Sequence, residues 1–162
     1  QTEFVDKTTQ EIYGGRVRIR TCGLCWDREK LLLVNHFGLY NHDFWAPPGG
    51  GLEFGVAAVD NLEREFIEET GLRVKTEELQ FLCEYIQPPL HAIELFFNVK
   101  LMGGKLFTGS DPEMGIKPQI IMEVKYLSDK EIEVIPDSYK HGIFRIAKSM
   151  EKIRGLRGYL KI

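Results

Sequence analysis

Hydrophobic and polar positions change their period several times along the chain. Between Arg16 and Trp26, Val17, Ile19 and Thr21 alternate with Arg16, Arg18 and Arg20, the two-residue period of a strand with one wet face. Asp27-Arg28-Glu29-Lys30 reads as a turn and Leu31 to Val34 as a short buried strand, so the two runs predict a hairpin. Asn35 to Trp45 reads as a loop holding His36, Phe37, Tyr40, His42, Phe44 and Trp45, with Phe44 and Trp45 as core candidates. Pro47-Pro48 and Gly49 to Gly51 lead onward, and from Val59 the period turns helical. Val59, Leu62 and Phe66 fall at i, i+3 and i+7, an apolar stripe that can dock on a sheet. Gly71 stands where a left-handed C-cap is expected.

Beyond that helix, Leu79 to Ile86 and Glu94 to Met102 read as strands separated by Pro88-Pro89. Gly103-Gly104 turns, with Leu106-Phe107 as a brief continuation, and Thr108 to Gln119 reads as a loop. Ile120 to Leu127 reads as a strand, and Ser128 with Glu131 makes a capping box. Ile143, Ile146, Ala147, Met150 and Ile153 predict one helix over 143–153. Strands on both sides of a central helix, with a second helix at the end, fit an α/β fold with a helix-covered mixed sheet. No repeat, low-complexity tract or linker divides it. Residues 1–14 read as a polar lead-in and 15–162 as a single domain.

Composition changes this picture little. With 162 residues the chain is long enough for a sizeable core. A net charge of −3 argues against broad nucleic-acid binding, though not against a local nucleotide site. No apolar run approaches a membrane span, and no signal-peptide pattern precedes the domain. Cys22, Cys25 and Cys83 form no disulfide framework. Cys22 and Cys25, three apart in a strand, point to opposite faces and make a poor chelate. Buried thiols in a reducing cytoplasm are the expectation.

The candidate chemistry lies in the helix. Glu63, Glu65, Glu68 and Glu69 crowd into two turns, after three consecutive glycines. Residues three and four apart on a helix are neighbours, and like charges there repel. Glu65, Glu68 and Glu69 share one face, and a hard cation such as Mg2+ takes carboxylate oxygens of this kind. A bare acidic run is ordinarily a solvated face, here with Arg64 and Glu68 as an i,i+4 pair.

The full pattern says more. Gly50, Arg64, Glu65, Phe66, Glu68, Glu69, Gly71 and Leu72 match G-x5-E-x7-R-E-U-x-E-E-x-G-U, where U is bulky and apolar. The chain therefore resembles the Nudix hydrolases. One position departs: Val56 stands where the pattern has its first glutamate, an accessory to the site in that family.

The resemblance implies an α/β/α sandwich with a mixed β-sheet. It implies Mg2+-dependent hydrolysis of a diphosphate linkage between a nucleoside diphosphate and another moiety, by metal-activated water, with Mn2+ as the alternative metal. Glu65, Glu68 and Glu69, with the Gly50 backbone carbonyl, are the implied metal ligands, and Arg64 the group that orients the glutamates. A general base is expected among these glutamates or at Glu113, with Glu94 and Glu123 as weaker candidates because their strands leave their faces open. Phe37, Tyr40 and Arg18 are the substrate-binding candidates, since aromatic stacking tolerates any base. The expected partner is a nucleotide-type small molecule, with homodimer formation left open. Val56 keeps a second function in view, a Nudix-fold nucleotide-binding or regulatory module. Isoprenoid isomerisation on this fold is disfavoured because none of the three cysteines lies in a suitable motif.

Overall fold

The computed structural model describes residue 11 and residues 14–37, 42–107 and 120–162. Two sheets carry the fold. In the first, β5 (Gly49–Gly51), β1 (Val17–Leu24), β7 (Leu90–Gly104), β6 (Leu72–Gln87) and β9 (Gly158–Lys161) lie side by side in that order. It is mixed: β1–β7 and β6–β9 run parallel, and β1–β5 and β6–β7 antiparallel. In the second, β3 (Lys30–Phe37) is flanked by β8 (Ile120–Leu127) on one edge and by β2 (Trp26–Asp27) and β4 (Phe44–Ala46) on the other.

Helix α1 (Ala58–Thr70) covers one side, with Leu62 and Phe66 fully buried among Cys25, Leu32, Val34, Val74, Phe97 and Val99. The other side is closed by α2 (Asp129–Glu133), α3 (Ile143–Ile146) and α4 (Met150–Gly155). Ile132, Ile143, Phe144, Met150 and Ile153 pack there on Cys22, Leu24, Phe81 and Phe96. This is the expected α/β/α sandwich. The Leu31–Val34 run is uniformly apolar because alternate side chains serve both cores, Leu31 and Leu33 in one, Leu32 and Val34 in the other. Cys22 and Cys25 likewise fall in opposite cores, and all three thiols are free and buried.

Several boundaries differ from expectation. The hairpin is made by β2 and β3 alone, because the chain leaves the first sheet at Cys25, whose carbonyl accepts Leu32 N–H at 2.9 Å. The loop over 35–45 begins later: β3 runs on to Phe37, and Asn35 Oδ1 accepts the Phe44 N–H at 3.1 Å. The three glycines form an edge strand. Gly49 must lack a side chain, since a Cβ there would lie 2.2 Å from the Thr21 carbonyl oxygen. Strand β6 starts at Leu72 because the charged side chains of Arg73, Lys75, Glu77 and Glu78 lie on its exposed positions. Leu106-Phe107 adds no strand. The single helix over 143–153 is two, broken where Ala147 turns extended and the Ser149 side chain accepts from Lys152 N–H to start α4. Strand β9 carried no sequence signal.

In β1 the wet and dry faces are exchanged over its first half. Val17 and Ile19 are 51% and 45% exposed, whereas Arg18 and Arg20 are half-buried. The arginines face a charged cavity, and α1 meets the other face only from Thr21 and Gly23 onward. Val59 lies on the edge of the α1 stripe and is exposed. Gly71 caps α1 as expected, at φ +77°, its N–H donating to the Ile67 carbonyl. The Ser128–Glu131 capping box is present.

Candidate active site

The acidic helix is fastened to the glycine strand by Asn61. This side chain is wholly buried. Its Nδ2 donates to Thr21 Oγ1 at 2.9 Å and to the Gly51 carbonyl at 3.1 Å. Its Oδ1 accepts from Arg64 Nη2 at 2.9 Å and from the Glu53 N–H at 3.4 Å. Strand, glycine run, loop and helix thus share one amide. Asn61→Ala strands the buried Thr21 hydroxyl and the part-buried Gly51 carbonyl, and an unsatisfied buried group costs about 1–3 kcal/mol. A urea titration should show the midpoint fall with the slope unchanged.

The candidate metal ligands separate into two kinds. Glu65 and Glu69 are buried, 6% and 4% exposed. Glu65 lies against Gly50, where a Cβ would sit 2.4 Å from its Cδ. Glu69 Oε2 accepts the Gly49 N–H at 3.2 Å. Glu68 is exposed and turns to Arg64, whose Nη1 donates to its two oxygens at 3.1 and 3.2 Å. Arg64 also stands 3.4 Å from Glu65 and 3.3 Å from Glu53. Helical phase explains the split, since Glu65 and Glu69 are four apart and face the glycine strand while Glu68 lies on the outer flank.

Among the described residues no three acidic, histidine or cysteine side chains converge as a ready cation site. The donor chemistry nevertheless fits a hard divalent ion. Two buried carboxylates border a glycine backbone, and Gly50 leaves the space beside Glu65 that any side chain would fill.

On the opposite face of β1 lies a cavity of about 390 Å³, its lining including Arg18, Arg20, Phe44, Tyr85, Glu94 and His141. Its floor is a buried network. Glu94 Oε1 accepts from His141 Nε2 at 2.6 Å, and Oε2 accepts from Arg20 Nη1 at 3.0 Å and from the Cys22 thiol at 3.6 Å. The Ile143 N–H donates to His141 Nδ1 at 3.1 Å, which orients Nε2–H toward the carboxylate. Burial would push the Glu94 carboxyl up, but His141, Arg20 and the Cys22 hydrogen bond hold it down at about 2. Burial, with Glu94 adding to it, pushes the Cys22 thiol well above its ordinary value, so it acts as a donor rather than a nucleophile.

The two places adjoin across the β1–β5 ladder, where Arg20 pairs with Gly51 and Thr21 with Gly50. Arg18 Nη2 lies 3.2 Å from where a Gly51 Cβ would be.

Of the sequence candidates, Arg18 lines the cavity, while Phe37 ends β3 half-buried and is not in its lining. Phe44, read as core, is half-buried in the cavity wall; Trp45 is core. Glu123 is half-exposed beside Lys125 at 3.2 Å. Tyr40 and Glu113 lie outside the described residues. Glu94, weighed as a weaker general-base candidate, has both oxygens engaged on the cavity floor; Asn61, and Arg20 and His141 as the partners of Glu94, were not singled out. Glu94 stands out as a lone carboxylate in the apolar run Ala92 to Phe97. His141 had no such signal.

Two buried carboxylates, Glu65 and Glu69, on a helix laid over a glycine strand, on a mixed sheet with helices on both faces, are the site that this α/β/α sandwich builds. The chain belongs to the Nudix family: the NUDIX domain model matches residues 16–141. A NUDIX hydrolase from Nitrosomonas europaea superimposes with TM-score 0.67 at 18% identity, over 86% of this chain and 87% of that one. A UDP-X diphosphatase gives 0.62 at 22% identity, over 95% and 72%. An ADP-ribose pyrophosphatase from Streptococcus suis gives 0.60 at 20% identity, over 90% and 98%. A comparison with curated protein sequences gave no match. The family makes the chain a hydrolase acting on pyrophosphate bonds. Among the described residues, no helix is long and apolar enough to cross a membrane.

Proposed function

We propose that this hydrolase cleaves the diphosphate linkage of a nucleoside diphosphate joined to a further moiety. The diphosphate lies at the α1 carboxylates and one end of the substrate enters the Arg18–Arg20 cavity. The observation carrying this is the pair of buried carboxylates, Glu65 and Glu69, set against the glycine strand next to that cavity. Glu65, Glu68, Glu69 and the Gly50 carbonyl would hold Mg2+, or Mn2+ in its place. Such an ion supplies Lewis-acid polarisation of the phosphoryl oxygens and offsets the carboxylate charge that would otherwise repel the substrate. Arg64 positions Glu65 and Glu68 through the contacts described. Two of the similar structures are named for nucleotide derivatives, which supports that substrate class.

Release of phosphate or nucleotide from a panel of nucleoside triphosphates, nucleotide sugars, ADP-ribose and dinucleoside polyphosphates tests the reading. Turnover with Mg2+ and none with EDTA is expected for at least one class. Silence across the panel, with thermal stabilisation by one member, would point instead to a nucleotide-binding module.

Two finer assignments have their own tests. If Val56 marks a lost accessory carboxylate, Val56→Glu raises turnover or lowers the Mg2+ needed for half-maximal rate. A loss of stability alone would identify the valine as a packing choice. If Glu113 is the general base, Glu113→Gln flattens the acid limb of the pH–rate profile. An unaltered profile removes it.

A further inference from the structure

We propose that the part of the first sheet that α1 leaves uncovered is the surface through which two copies of this chain pair about a two-fold axis.

Strand register assembles that surface. The odd-numbered residues of β1 face α1, since a Cβ on Gly23 would meet the Phe66 ring and Thr21 Oγ1 accepts from Asn61 Nδ2. Val17 and Ile19 lie on the same side, short of the helix. Ile19 is in register with Ile93 of β7, Ile93 with Glu84 of β6, and Glu84 with Lys161 of β9. In the flanking rows Val17 stands beside His91 and His91 beside Ile86, and Leu82 stands beside Tyr159. Residues paired across a sheet share a face. Val17, Ile19, Ile86 and Tyr159 therefore form one surface, with Ile86 and Tyr159 46% and 60% exposed and with Ile93 and Leu82 half-buried between them. The intervening Cys83 and Leu160 point the other way, into the core closed by α2, α3 and α4. Leu52, whose N–H donates to the Ile19 carbonyl at 2.8 Å, extends the surface to the end of the glycine strand, and Phe54 in the turn beyond is fully exposed.

The extent of this surface suits a stable contact. With strands about 4.8 Å apart and about 3.3 Å per residue, four strands by five residues cover roughly 300 Å² in projection. Side chains standing out of the sheet, and the rim around them, raise the accessible area toward the ~800 Å² per partner of a standard interface. Apolar patches beyond a few hundred Å² mark interaction sites.

Charge selects the occupant. Glu84 and Lys161 stand side by side within the surface, and the Glu84 carboxylate accepts from the Tyr159 hydroxyl at 2.5 Å and lies 2.9 Å from His91 Nε2. A strongly acidic or strongly basic partner would meet its own sign at one of the two. Two copies related by a two-fold axis offer both signs to each other, so that Lys161 of one meets Glu84 of the other. The surface is a sheet face, which packs on a second face about 10 Å away with apolar side chains between. An extended peptide adding a strand would need a sheet edge instead.

Sedimentation velocity of the full chain from about 1 to 100 μM tests the proposal. A concentration-dependent dimer is expected. Ile19→Glu and Ile86→Lys each raise its Kd by about tenfold or more. Both side chains are about half open in the single chain, so the fold persists, as circular dichroism checks. If Ile19→Glu fails to fold, Ile86→Lys carries the test. Glu133→Lys, on α2 at the opposite side, leaves the Kd unchanged. A monomer throughout that range overturns the proposal, and so does a dimer whose Kd neither Ile19→Glu nor Ile86→Lys moves. A monomer whose melting temperature falls by several degrees in Ile86→Lys overturns it too, and assigns the cover of this face to another part of the same chain.

Discussion

Glu69→Gln is expected to lower turnover by about a hundredfold or more while the fold persists. The carboxylate is buried against the glycine strand, and its hydrogen bond from Gly49 N–H can be kept by an amide oxygen. The substitution therefore removes charge and spares shape. Glutamine can keep the hydrogen bond from the Gly49 N–H, whereas a site for a divalent cation needs the charge itself. Kinetics at saturating Mg2+, with circular dichroism and a melting curve on the same sample, separate the two roles. Unchanged turnover would remove Glu69 from the metal site. A large drop in melting temperature with proportionate loss of activity would make its role structural.

The second large effect lies in the cavity floor. Glu94→Gln removes the charge that Arg20 Nη1 and His141 Nε2 face, and breaking a largely buried charge pair of this kind costs about 3–5 kcal/mol. For a chain of this length that is a melting-temperature fall of roughly 10 °C. The same group sets an acid limit. Its folded carboxyl titrates at about 2 against an ordinary 4.5, so the stability it contributes is fully present above about 4.5 and drains away as pH falls toward 2. The wild type should lose stability steeply across that window, and Glu94→Gln, already weakened, should show a shallower slope there. Parallel slopes would mean that another carboxylate governs acid unfolding.

What could be read from the residues follows from how local each signal is. The α1 helix, its glycine cap, the Ser128 capping box and the β8 strand all rest on neighbours within a few positions, and the structure has each where the pattern put it. The fold class was legible for the same reason. The reversed faces of β1 were not, because Val17 and Ile19 look like core until one knows that Glu94, on the adjacent strand, waits for Arg20. The division of the carboxylates into buried Glu65 and Glu69 and exposed Glu68 depends on where the glycine strand docks. The box pattern gives the three glutamates equal standing. Nothing local marks Asn61, and its importance appears only when the fold brings Thr21, 40 residues earlier, and the Gly51 carbonyl to its side chain. His141 lies 47 residues beyond the carboxylate it orients, and nothing local marks it.

Mn2+ binding followed by electron paramagnetic resonance, in the wild type and in Glu69→Gln, tests the central claim most directly. Saturable binding in the wild type, competed by Mg2+ and weakened about tenfold or more in the variant, is the predicted result. No saturable Mn2+ in the wild type, or the same affinity in both proteins, would contradict the account of a cation held by the α1 carboxylates.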